Sequence, residues 1–205
     1  MATGSRGERG ARGVRAMPQV VDHLIERGLS CLVLSEPGSP TPEATARAHR
    51  LEPGELVHTE LVTASSGPAL VAIPAGDRLD LRLVRRALAD PDARPATEAE
   101  REVLVSGCDA DSVPPLSSWL RVPVYLDPAL TGRDQLIFPA ARPDVLVCVE
   151  REQLLKDSPV VVAPLTVASF TPDRFSSSRR ALLADDDLRP VHQRHHGSPV
   201  GTIVA

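Results

Sequence analysis

The chain has 205 residues, of which 42% are hydrophobic and 24% charged. That balance excludes a wholly disordered or collagen-like chain and allows between one and two average globular domains. No stretch approaches the ~20 apolar residues of a membrane-spanning helix, so no membrane association is expected. Trp119, Tyr125, Phe138, Phe170 and Phe175 are the whole aromatic complement. They are too scattered to stack successive bases of a single strand, and DNA is not an expected partner. Lys156 is the only lysine among 23 basic residues, so chemistry that needs a lysine has one candidate.

Cys31, Cys108 and Cys148 form an odd set without CxxC spacing, which suggests neither a disulfide framework nor a zinc knuckle. With no apolar signal segment at the N-terminus, a reducing, cytoplasmic setting is expected. Charge divides the chain into three. Residues 1–18 carry Arg6, Arg9, Arg12 and Arg15 against Glu8, a net of +3. Residues 158–205 carry five arginines against four aspartates, a net of +1. The whole chain is −4, which leaves −8 on residues 19–157. Attraction of this acidic middle to a polyanion must therefore come from a local patch.

The middle also carries the periodic patterning. Val20, Val21, Leu24, Ile25 and Leu29 recur at helical spacing, and Gly28 stands where a helix stops. Cys31–Ser35 reads as a short strand. Thr41-Pro42-Glu43 opens the next helix with a hydroxyl cap, a proline at the first position and an acid in the first turn. It is expected to run to about Leu51.

Residues 55–64 and 69–75 are β-prone runs joined by Ser65-Ser66-Gly67-Pro68, a hairpin signal. Alternation places Val57, Thr59 and Leu61 on one face and Leu56, His58, Glu60 and Val62 on the other. Asp80 caps a helix with Leu83, Val84, Ala87 and Leu88 inward. Thr97-Glu98-Ala99-Glu100 is a capping box for a helix that Gly107 should end. Residues 122–126, 135–138 and 145–149 supply strands, and 150–156 a last helix. The expectation is one mixed α/β domain over 19–157, with a largely antiparallel sheet surrounded by helices. A disordered Arg/Gly-rich head (1–18) and a low-complexity tail (158–205) flank it, and residues 159–170 hold one further possible strand.

Several of these segments, in order, resemble the YbaK/ProX family of aminoacyl-tRNA editing domains. They are Thr41–Ala48, the strand Glu55–Val62, the strand and turn Ala69–Leu81 with Pro74-Ala75-Gly76-Asp77-Arg78-Leu79-Asp80, the loop Gly107–Pro115, Val124-Tyr125-Leu126-Asp127, and Ile137–Val149 with Ala140-Ala141-Arg142. The likeness spans about 19–157. It implies hydrolysis of the ester between a wrong amino acid and the terminal ribose of a tRNA, most often tRNA for proline, with no cofactor or metal. A hydrolytic second sieve of this kind adds selectivity where one methylene offers only about 1–3 kcal/mol. The implied partners are the 3′ end of a mischarged tRNA and an aminoacyl-tRNA synthetase.

Carried onto this sequence, the resemblance places His58 at the family's lysine position and Asp111 at the second glycine of the loop. His58, Asp111, Ser112 and Pro115 are the candidate catalytic residues. Thr59, Gly107, Val113, Asp127, Ala141 and Arg142 are the candidate substrate-binding residues, Ala141 standing where the family has glycine. An imidazole is mostly neutral at pH 7 and can act as a general base, but it cannot replace a permanent charge. Glycine at 111 would allow positive φ and close approach of RNA, whereas aspartate adds a charge that repels phosphate. The expected function is therefore a weakened or re-tuned deacylase. The alternative is a non-catalytic module of the same fold that binds tRNA, an amino acid or a protein. His192, His195 and His196 have spacing that can bind metal, but lack a completing carboxylate or thiolate. No G-x-S-x-G elbow, P-loop or dinucleotide fingerprint occurs.

Overall fold

The computed structural model describes residues 19–35, 39, 41–158, 160–167 and 201–204. The head, most of the tail and the three tail histidines lie outside the described residues. The first helix, α1, covers 19–26 and buries Val20 and Leu24 completely. Gly28, at φ +72, ends it. The Gly28 amide returns to Ile25 O at 2.8 Å and the Leu29 amide to Leu24 O at 2.9 Å, which satisfies the last carbonyls of the helix.

Strand β1 (Cys31–Ser35) follows, then α2 (Pro42–Ala48), whose Thr41 side chain accepts from the Ala44 amide. This helix stops short of the expected Leu51, because Arg50 takes a left-handed conformation. A 3-10 turn (Pro53–Glu55) leads into β2 (Val57–Ala64) and β3 (Gly67–Pro74), paired in register from Val57–Pro74 to Ala64–Gly67. The hairpin and its turn fall where the sequence places them.

Helix α3 (Leu81–Ala87) is capped by Asp80, and α4 (Glu98–Leu104) by the Thr97–Glu100 capping box. A two-residue β4 (Arg94–Pro95) lies between them. Short α5 (Ser117–Leu120), β5 (Val124–Leu126), α6 (Pro128–Thr131), β6 (Gln135–Arg142), β7 (Val145–Glu150) and α7 (Arg151–Asp157) complete the middle.

Past residue 157 the strand expected within 159–170 forms, and a second strand comes from the low-complexity tail. β8 (Val160–Val162) adds parallel to β5, and β9 (Gly201–Val204) adds antiparallel to β1. The strands form two sheets rather than one, in the orders β6-β7-β1-β9 and β4-β2-β3-β5-β8. The first is antiparallel throughout, while the second has parallel pairs at β3–β5 and β5–β8.

The larger core holds Phe138, Val147, Leu24, Leu61, Leu70 and Leu116, drawn from both sheets and α1. A second cluster packs Ala46 of α2 with Leu56, Ile137 and Leu146. A third sets Val84 of α3 against Val62, Val71, Ile73 and Leu165. The two faces of the β2–β3 hairpin thus serve different cores, and this fixes which way each candidate site residue points. Among the described residues no helix is long and apolar enough to cross a membrane.

Candidate functional site

Strand alternation sends successive β2 side chains to opposite faces. Val57 and Leu61 join the larger core, together with Val113, Ala140 and Ala141. Val62 joins the cluster under α3. His58 and Glu60 share that second face but sit beyond the apolar cluster, where they open onto a cleft of about 390 Å³. Pro42 and Glu43 of α2, and Asp77, Arg78 and Leu79 of the turn before α3, complete its walls.

His58 Nε2 lies 3.6 Å from Glu60 Oε1, and the side chains are 13% and 28% exposed. His58 Nδ1 is buried and has no hydrogen-bond partner among the described residues. Glu43, Glu60, Asp77 and Arg78 line the same cleft. The resemblance expects a lysine at this position, and the chain has an imidazole there.

The Gly107–Pro115 loop is built by its own hydrogen bonds. Gly107 has φ +90. The Asp109 amide donates to Ala141 O at 2.9 Å, the Ser112 amide donates to Asp109 O at 3.0 Å, and Arg101 donates to Ala110 O. Ser112, Val113, Pro114 and Pro115 are buried, whereas Asp111 is exposed. Asp111 is not among the residues with positive φ, so aspartate causes no backbone strain there. Its effect is limited to charge.

The positive φ falls instead on Ala141, at +68, in a bulge where β6 slips register against β7 between Pro139 and Arg142. That torsion, rather than pocket width, is the physical reason a glycine suits the position. Arg142 is held by Asp144 through bonds of 2.8 and 2.7 Å, and this pairing raises the guanidinium pKa. Burial pushes the Cys108 thiol up to about 12, with Asp109 adding to the rise and Arg101 opposing it. No thiolate nucleophile therefore forms beside the loop at neutral pH.

Asp127 is 4% exposed, and both its oxygens accept hydrogen bonds. Oδ1 caps α6 at the Ala129 amide (2.9 Å). Oδ2 takes the amides of Leu165 (2.9 Å) and Thr166 (3.2 Å) and the Thr166 hydroxyl (3.3 Å). The carboxylate is thus spent on fastening the segment after β8. Thr59 is 1% exposed and faces the larger core, its hydroxyl without a hydrogen-bond partner among the described residues.

The structure therefore brings Gly107, Asp111, Ser112, Val113 and Pro115 together with Ala141 and Arg142. It places His58 on the other face of β2, at a cleft that no residue of that loop lines. Glu60, Glu43, Asp77 and Arg78 were not singled out by the sequence. The signal for Glu60 was nonetheless present, since residues 58 and 60 of a strand share a face. Among the described residues no group of three or more His, Cys, Asp or Glu side chains is placed to hold a metal ion.

Comparison with known proteins matches residues 36–156 to the aminoacyl-tRNA editing domain family. Curated proteins give no match. Among solved structures, a candidate trans-editing enzyme for prolyl tRNA synthetase superposes with a TM-score of 0.64 at 28% identity, covering 73% of this chain and 96% of that one. A scaffold protein used for computational grafting of linear epitopes gives 0.64 at 25% identity, covering 75% and 96%. A hypothetical protein gives 0.64 at 23% identity, covering 72% and 99%, a likeness of fold.

Proposed function

Because the chain belongs to the aminoacyl-tRNA editing domain family, we propose that it is a deacylase of mischarged tRNA, re-tuned at its reacting end and directed to tRNA of the prolyl type. The observation that carries this reading is His58. It stands at the family's lysine position and opens onto a cleft beside Glu60, whose Oε1 lies 3.6 Å from its Nε2. The ester of an aminoacyl-tRNA is already activated, so a site need only position water or the vicinal ribose hydroxyl and stabilise the developing oxyanion. An imidazole that lines the cleft suits the first task as a general base. Contact with the terminal nucleotide is assigned to the loop around Asp111–Pro115, where the Asp111 and Val113 amides can donate while the Ser112 amide is held by Asp109 O and the two prolines have none. The prolyl assignment draws support from the 28% identity to the candidate trans-editing enzyme for prolyl tRNA synthetase. A synthetase as partner and a cytoplasmic location follow from the same reading.

One observation favours a second reading. The His58 cleft and the Gly107–Pro115 loop do not line a common wall, as befits a module that retains the fold for binding and has lost catalysis. Single-turnover deacylation of alanyl- and cysteinyl-tRNA for proline separates the two. Wild type, His58→Ala and His58→Lys are compared between pH 6 and 8. Turnover by wild type that is lost in His58→Ala is the expected result. Activity only in His58→Lys, or in none of the three proteins, would establish the binding module.

A further inference from the structure

Resting on the deacylase reading, we infer that the turn before α3 and the exposed face of that helix form an RNA-backbone surface that delivers the terminal nucleotide to the His58 cleft. Arg78 and Arg86 are its main phosphate contacts. A second cleft, of about 570 Å³, adjoins the His58 cleft and shares Asp77, Arg78, Leu79 and Leu81 with it. Arg78 is exposed at this shared wall. Arg82 also lines the second cleft, and Arg82, Arg85 and Arg86 are exposed while Val84 alone of α3 is fully buried. Positions 82, 85 and 86 are three and four residues apart, so these side chains share one helix face.

Their charge is available in a way that much of the chain's basic charge is not. Arg27 is paired with Asp157, Arg94 with Glu100 and Arg142 with Asp144. Among the described residues, Arg82 alone on the α3 face has a carboxylate partner, Asp80. Arg85 spends its Nε on a backbone carbonyl, Ala93 O at 3.0 Å. Arg78 and Arg86 form no ion pair with the described carboxylates. In an otherwise acidic domain, this is where the field favours a phosphodiester, and guanidinium groups suit phosphate oxygens. The same arginines flank a cleft whose own walls are acidic. The charge pattern therefore excludes phosphate from the reacting end and leads it along the helix beside it.

The test uses the full chain and an uncharged acceptor-stem minihelix ending in its 3′ overhang, with affinity followed by fluorescence anisotropy across a salt series. Arg78→Gln/Arg86→Gln should lower affinity about 30-fold near 0.15 M salt and reduce the slope of log affinity against log salt by about 2. Hydrolysis of an aminoacyl ester of adenosine alone, which lacks the upstream phosphates, is followed in the same wild-type protein. An unchanged slope in a folded double variant overturns the surface, whatever the hydrolysis assay gives. Salt-dependent minihelix binding that the double variant loses, in a protein that hydrolyses no ester, overturns the deacylase reading and leaves the surface standing. Arg121→Gln, a substitution outside this face, should leave the slope unchanged, and an equal fall there would also overturn the assignment.

Discussion

Replacing Asp127 with alanine removes a carboxylate that performs three structural tasks at once. Its Oδ1 caps α6, and loss of an N-cap costs about 1 kcal/mol. Its Oδ2 accepts from the buried Leu165 amide, and a hydrogen bond to a charged group contributes roughly 1.5–3 kcal/mol. The longer bonds from the Thr166 amide and hydroxyl are partly exposed, and water can replace much of their contribution. Allowing for that exchange, Asp127→Ala should destabilise the fold by about 4 kcal/mol, a large share of the roughly 5–15 kcal/mol that holds a domain together. Urea unfolding at constant slope measures this loss, and amide exchange locates it, with Leu165 and Thr166 losing protection first. The consequence reaches the candidate site, because Leu165 O receives the Asp80 amide at 2.9 Å and Thr166 bridges to Leu79. Leu79 lines both clefts. Thr166→Val, which removes only the 3.3 Å hydroxyl contact, should cost about 1 kcal/mol or less. A loss below about 1 kcal/mol in Asp127→Ala, or unchanged protection at 165 and 166, would refute the reasoning.

Ala141→Gly should stabilise the protein by about 1 kcal/mol, because it relieves a left-handed alanine at φ +68, and thermal unfolding reads the gain. The Glu100 carboxyl is held down to about 2, mainly by Arg94 and then by the Thr97 amide. A depressed carboxyl stabilises the fold above its unfolded value of 4.5, and the contribution is lost as pH falls toward 2, so Glu100→Gln should flatten acid unfolding within that window. The Cys108 thiol, pushed up to about 12 by burial, should react slowly with thiol reagents at pH 8 in the native state and rapidly in urea.

Local signals in the chain were specific enough to place most elements. The Thr41, Asp80 and Thr97 caps each accept the hydrogen bond that their position implies. Gly28 and the Ser65–Pro68 turn end their elements as expected. The division into two sheets was not legible, because alternation within a strand carries no information about which strand pairs beside it. β8 falls within the 159–170 stretch where a further strand is expected, but its anchor, the side chain of Asp127 38 residues before Leu165, was not legible. Asp127 shows the same limit at the level of a single residue. A buried aspartate before a proline reads equally as a pocket wall or as a cap, and only the distant partners decide. For His58 and Glu60 the common face followed from period two, whereas the approach of Glu43 from α2 and Arg78 from the turn depends on tertiary packing.

The departures from the family pattern differ in physical kind, and this bears on whether the site is decayed or re-tuned. Ala141 is a backbone cost of about 1 kcal/mol that the buried bulge tolerates. Asp111 adds charge to an exposed loop position without changing its backbone class. His58 changes the available chemistry, because it exchanges a fixed cation for a group that can take a proton near neutral pH. Random decay at such a position would leave a side chain unrelated to its neighbours. Here the imidazole meets a carboxylate on the same strand face at 3.6 Å, and its other ring nitrogen is kept from water. A lysine in that place would face Glu60 as an ion pair, whereas the histidine sets a group that can donate or accept a proton beside the same carboxylate.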